Sequence, residues 1–322
     1  MIHDIIIAAA SSGTAGSSIP VSGYIGGGWL SSSSYRLTID GFRFATETVI
    51  RLSSTLVSAR APAGANSLSR GYFAGGFTGI YTGEIDGIQF SDESSINPTA
   101  SIGARSNLAA VNSTTAAYFG GGYSSDTVAD AIYGFTFSSE SIFYPSATLS
   151  VARYGHAGVS SSTRGYFGGG YATSTINEVD GLRFDTGAAI NPSATVGALY
   201  YVSGLNSSTT GYFGGGEGST TTPSSNGIIS LTFTTETTTV LGVGLTMGRH
   251  GAAGVNSATT GYFCGGSYNW YEGVSWSPTW YDTSVSEIDG IQFSTNTITN
   301  PAASLVGPTG RLVGGVQSGG ML

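Results

Sequence analysis

Short apolar phrases alternate with runs of Ser, Thr, Gly and Asn along the chain, and no segment sustains an apolar period of 3.6 residues. Glycines and β-branched residues are dense throughout, which disfavours helix. Over residues 153–199 the alternation predicts four strands separated by turn residues. The first is small and apolar, Gly155 to Val159, and is followed by a turn at Ser160 to Arg164. The second is Gly165 to Gly169, the third runs from about Ile176 to Phe184, and the fourth from about Ala188 to Val196, interrupted by Asn191-Pro192.

The same phrase recurs at Tyr24 (YIGGG), Tyr72 (YFAGG), Tyr118 (YFGGG), Tyr166 (YFGGG), Tyr212 (YFGGG) and Tyr262 (YFCGG), at intervals of 46–50 residues. A period of that size indicates stacked or radial repeats. Each glycine cluster is followed by a strand-like phrase: IDGFRF from Ile39, IDGIQF from Ile85, IYGFTF from Ile132, VDGLRF from Val179, IISLTF from Ile228 and IDGIQF from Ile288. Turns at Asn66-Ser67, Asn112-Ser113, Asn206-Ser207 and Asn256-Ser257 favour tight hairpins, because both side chains bond back to the backbone. Four antiparallel strands per repeat, the smallest residues on the first, meet the requirements of a β-propeller blade, whose inner strand lies where blades crowd the axis.

The two ends of the chain complement one another. Residues 311–322, RLVGGVQSGGML, align with Arg249 to Thr260, the first strand and turn of a blade, and the missing continuation is Gly23-Tyr24-Ile25-Gly26. The sequence therefore predicts an all-β fold: a six-bladed propeller over residues 21–322, its C-terminal strand completing the N-terminal blade. Closure removes the open sheet edge. Residues 1–20 match no repeat; they are expected to be an attachment segment, tethering the propeller to a partner or packing on its edge. Their apolar run has no basic residue before it and is too short to span a bilayer.

Composition narrows the function. All eleven basic residues are Arg, there is no Lys, and Asp and Glu number nineteen, giving a net charge of −8. A nucleic-acid backbone calls for clustered basic residues, so no nucleic acid is expected as a partner. The single cysteine, Cys264, replaces a glycine of the repeat and reads as a small buried residue.

About thirteen residues before most of the repeated tyrosines stands an arginine, at Arg60, Arg105, Arg153 and Arg249, with Arg311 in the same place of the C-terminal segment and Tyr200 holding it before Tyr212. With Tyr166-Phe167-Gly168-Gly169 and Phe184-Asp185, this pattern resembles the kelch repeat. It departs from kelch where Asn-Pro or Tyr-Pro stands in place of a late Trp, as at Asn97-Pro98 and Tyr144-Pro145. The resemblance implies a propeller, mostly an interaction module and less often an enzyme of the galactose-oxidase type.

Asp40, Asp86, Asp180 and Asp289 recur on the third strand of their repeats, on the face shared with apolar residues. Since catalytic sites occur once and these recur, they are read as structural braces paired with the repeated arginines. His156 and His250 stand two blades apart, and no Ser-His-Asp grouping, phosphate loop or Cys/His metal cluster is visible, so no catalytic residue, metal or cofactor is expected.

One stretch breaks the symmetry. The sixth repeat inserts residues 267–286 between its glycine cluster and its next strand, carrying three of the four tryptophans. Trp270, Tyr271, Glu272, Trp276, Trp280, Tyr281 and Asp282 are the candidate ligand-binding residues, since aromatics interspersed with carboxylates suit sugar faces or a protein hot spot. A hydrophobic cap over the propeller is the alternative. In style, the Lys-free, Gly/Ser/Thr-rich repeats resemble bacteriophage tail-fibre proteins. That resemblance implies a virion module made in the host cytoplasm, bound to other tail proteins through residues 1–20 and to a host surface glycan or protein. A carbohydrate-active or oxidative enzyme and an intracellular scaffold are the alternatives.

Overall fold

Each glycine cluster lies at the end of the second strand of a four-stranded antiparallel sheet, the strand of blade 2 running one residue past it to Phe77, and six such sheets form the ring of a six-bladed β-propeller. The computed structural model describes residues 19–31, 34–58, 60–125, 127–218, 224–272, 279–308 and 314–317. Among these residues there is no helix, and so none long and apolar enough to cross a membrane. In blade 4 the strands, from the axis outward, are Ala157–Ser160, Arg164–Gly168, Val179–Arg183 and Ala189–Ile190. The outer strand is only two residues long, much shorter than the alternation predicts. Asn191-Pro192 follows directly, and proline has no N–H to continue a ladder.

The Tyr-Phe dipeptide is explained by the strand's two faces. Tyr166 turns toward blade 5 and stacks on Phe233, ring centroids 5.7 Å apart, while Phe167 turns back into the core of blade 3. The same stacking recurs at every joint: Tyr24 on Phe90, Tyr72 on Phe137, Tyr118 on Phe184, Tyr212 on Phe293 and Tyr262 on Phe44. The first glycine of the cluster admits the neighbour's Phe. A Cβ at Gly168 would lie 2.8 Å from the Phe213 ring, and one at Gly214 would lie 2.7 Å from Phe263. Blade 1 has the smaller Ile25 in place of Phe, and there the cluster of blade 6 carries Cys264; the two side chains share one core. Gly169 and Gly170, with φ of 73° and 108°, then turn the chain out of the sheet in a conformation open to glycine.

Closure joins the two ends of the chain. Gly314–Gln317 is the axial strand of blade 1, paired with Ser22–Gly26 so that Val316 lies opposite Tyr24. Val255 lies opposite Tyr262 in the same way, which shifts the C-terminal segment one residue from the direct alignment with Arg249 to Thr260. Around the axis the inner strands meet at small residues. A Cβ on Gly64 would come within 2.1 Å of the Gly315 carbonyl, and one on Gly158 equally close to that of Ala110. The axial space left between them is about 130 Å³.

Hairpins between first and second strands, and between third and fourth, lie on one end of the ring, here the turn face. Ser67 and its counterparts tie the first of these turns by accepting backbone N–H bonds, as from Arg70 N at 3.0 Å. The opposite end, the loop face, carries the longer connections.

Candidate functional site

The recurrent arginines and aspartates lie beneath the loop face. Arg60 meets Asp86 at 2.7 Å, Arg153 meets Asp180 at 2.7 Å and Arg249 meets Asp289 at 3.0 Å, all nearly devoid of solvent exposure. Each arginine also donates to the carbonyl of the second-strand Phe: Phe73, Phe167 or Phe263. Each aspartate accepts a backbone N–H from the segment entering the blade, from Val57, Ser150 or Thr246. The arginine's own carbonyl accepts from the last glycine of the preceding blade, as Arg153 O does from Gly122 N. One side chain thus joins the second and third strands of its blade to the segment entering it, while its backbone holds the neighbour.

The remaining members of the set differ. Among the described residues Arg105 has no carboxylate within ion-pair distance; it donates to Gly121 O and the Tyr133 hydroxyl, with its guanidinium 4.4 Å from the Tyr133 ring. Tyr133 stands where other blades have the aspartate. Asp40 is held by Arg51, on the outer strand of blade 1, and by Arg36 at 3.7 Å, and Arg311 lies outside the described residues. In blade 5 the backbone puts Leu199, not Tyr200, in the arginine's place, since Leu199 O accepts from Gly170 N. Its counterpart on the third strand is Ile229, paired with Phe213 as Asp180 is with Phe167. Leu199 and Ile229 pack on one core, so an apolar pair replaces the ion pair.

The aromatic insertion of blade 6 is a hairpin, Ser267–Glu272 with Thr279–Ser284, that places Trp270 opposite Tyr281 and Tyr271 opposite Trp280 in register. Trp276 and the side chains of Trp270, Tyr271, Glu272, Trp280, Tyr281 and Asp282 lie outside the described residues. The hairpin leans on blade 1, where the Ser284 hydroxyl donates to Leu30 O at 3.1 Å. Residues 1–18, the bulk of the expected attachment segment, are also outside the described residues.

The loop face holds a second aromatic group that the repeat analysis passed over. The residue after each glycine cluster is Trp29, Phe77, Tyr123, Tyr171, Glu217 or Ser267, so blades 1–4 carry an aromatic there and blades 5 and 6 a polar residue. Antiparallel bridges set Tyr123 against Ser106, Tyr171 against Tyr154, Glu217 against Tyr200 and Ser267 against His250, which brings this position toward the axis. Trp29, Tyr35, Phe77, Tyr81, Tyr123, Tyr154 and Tyr201, all half-buried, together with Ala61, Ser106 and Asn107, line a cavity of about 400 Å³ over the axis. Neighbouring rings meet at centroid distances of 4.9 Å for Phe77 and Tyr81, 5.8 Å for Tyr81 and Tyr123, and 5.7 Å for Tyr123 and Tyr154. Burial, and then the Tyr171 phenol, push the Tyr154 phenol above its ordinary pKa, so it is neutral at physiological pH. The signal was present in the sequence, one position beyond the motif that defined the repeat.

Across the axis the polar positions gather. His250 Nδ1 lies 3.0 Å from Glu217 Oε1 and 2.9 Å from Ser224 Oγ, and Asn269 Nδ2 donates to Glu217 Oε1 at 2.6 Å. A serine–histidine–acid relay needs the nucleophile and the acid on different ring nitrogens. Here both oxygens address the same one, so the cluster ties the blade 6 hairpin to blade 5. Among the described residues no three His, Cys, Asp or Glu side chains converge as metal ligands. Compared with protein-family models and with curated proteins, the sequence matches none.

Proposed function

We propose that this kelch-like propeller is a non-enzymatic binding module of a virion, of the tail-fibre or receptor-binding kind, and that its loop face engages a glycan or protein on the host surface. The observation that carries the reading is the concentration of accessible aromatic residues on one face of a rigid ring. The opposite face ends in short, repetitive Ser-, Thr- and Asn-containing turns. Mobile or inserted loops on an invariant scaffold are a common way to carry recognition. On this reading Trp270, Trp276 and Trp280 of the blade 6 insertion take part in binding, and residues 1–20 attach the propeller to other tail proteins.

The test is adsorption of purified protein to whole bacteria and to a glycan array. A variant with Trp270, Trp276 and Trp280 all changed to Ala is expected to lose binding while keeping the wild-type melting temperature. Undiminished adsorption by that variant removes the hairpin from the site.

A further inference from the structure

We infer that the aromatic cavity over the propeller axis is the principal ligand subsite of the loop face, and that it takes an uncharged pyranose chain. The inference deepens the proposed function and rests on its reading of the loop face as a glycan-binding surface. Among the described residues, blades 1 to 5 supply the lining of the cavity.

Three features point to this ligand class. First, the walls are flat and amphipathic. The lining is mostly Tyr and Trp, which present a ring face to the C–H side of a sugar and a hydroxyl or N–H to its hydroxyls. Asn107 and Ser106 add further polar groups to the lining. Second, among the described residues the lining contains no ionised side chain, so a carboxylated or sulfated sugar meets no counter-charge from them. The net charge of −8 opposes such a ligand from a distance as well. Third, the rings of Tyr35, Phe77, Tyr81, Tyr123 and Tyr154 run in an arc from blade 1 to blade 4, successive centroids 4.9–6.1 Å apart, rather than closing as a box about one point. An arc offers successive platforms to successive sugar units, whereas a quaternary ammonium group is held by rings converging on a single centre. The volume of about 400 Å³ is in the range of small-ligand sites, about 300–1,000 Å³.

The test is calorimetric titration of the full-length protein with neutral hexose oligosaccharides, the same chains bearing sialic or uronic acid, phosphocholine, and a proline-rich peptide. Wild type is expected to bind a neutral oligosaccharide. Tyr81→Ala and Tyr123→Ala should each weaken it on the order of tenfold or more, the loss seen when a stacking residue is truncated. Tyr81→Phe keeps the ring and should retain most of the affinity, which separates stacking from a folding defect. Leu68→Ala, on the turn face, should bind as wild type. Neutral-sugar binding undiminished by the Tyr81 and Tyr123 changes, yet abolished by the triple Trp→Ala change in the blade 6 hairpin, overturns the subsite and leaves the proposed function standing. Binding of phosphocholine, peptide or acidic sugar in preference to neutral chains overturns the ligand class. Adsorption to bacteria without any glycan binding overturns the whole inference, while failure of both overturns the proposed function with it.

Discussion

Arg153 and Asp180 meet at 2.7 Å in a site almost closed to water, and one blade further on the same two places are held by Leu199 and Ile229, half-buried and packed on one apolar core. The repeat therefore contains both an ion pair and its apolar replacement. Removing one partner of a buried pair leaves an uncompensated charge, whereas replacing both with apolar residues of similar volume is often neutral. Arg153→Leu alone is expected to cost about 3–5 kcal/mol, Asp180→Ile alone a similar amount, and the double variant about 1 kcal/mol or less. Urea unfolding of the four proteins measures this. A double variant as unstable as the sum of the singles would show that the pair is not exchangeable.

The tyrosines at the blade joints make stability sensitive to alkali. Burial pushes the Tyr24, Tyr72 and Tyr166 phenols up to about 12, with Glu93, Glu140 and Glu236 adding to the rise. Tyr262 is raised for the same reason by burial and then by Glu47, to which its hydroxyl donates at 3.1 Å. Between pH 10 and about 12 the unfolded chain has lost these protons and the folded chain has kept them. Their contribution is thus complete below pH 10 and falls as pH rises through 12. The buried Cys264 thiol, also raised to about 12, acts with the same sign from pH 9 upward. Melting temperature should be flat with respect to these groups up to about pH 9 and then fall, and Tyr72→Phe should soften the fall. An unchanged melting temperature at pH 11 contradicts the assignment.

Cys264 and Ile25 form a compensated pair at the joint between blades 6 and 1. Cys264→Gly leaves space against the smaller Ile25 and should cost about 1–2 kcal/mol by the usual cost of a small cavity. Adding Ile25→Phe restores the arrangement of Gly168 with Phe213 and should recover most of it. The readout is the denaturation midpoint of the single and double variants, and a double variant no better than Cys264→Gly argues against packing as the reason for the cysteine.

Ring closure predicts a cooperative loss. A chain ending before Gly314 lacks the axial strand of blade 1, exposing the edge of Ser22–Gly26 to water and to other chains. It should aggregate or unfold at a much lower urea concentration than the full chain. Equal stability would mean that the strand contributes nothing to the ring.

The blade count and the four-strand order were legible because a Tyr-x-x-Gly-Gly phrase is written six times in register, and the joining of the chain ends because residues 311–322 resemble the first strand of a blade whose continuation stands at Gly23 to Gly28. Exceptions within the repeat were harder to read. Leu199 was overlooked because a change in the arginine slot is meaningful only beside its partner Ile229, and the two are thirty positions apart in the sequence. The turn-face contacts were missed for a related reason. Glu140 and Glu236 adopt φ of 48° and 53° in third-to-fourth strand turns and accept from Tyr72 and Tyr166 of the preceding blade, a relation across joints that no single repeat displays. The aromatic cavity escaped notice because its residues come from five blades, each contributing one or two rings that look incidental alone.

The most direct measurement is the position of a bound neutral oligosaccharide in a crystal of the full-length protein. The account predicts a chain lying over the axis with its sugar faces on Tyr81 and Tyr123. A chain bound at the outer edge of a blade or on the turn face, with the axial cavity unchanged, would contradict it.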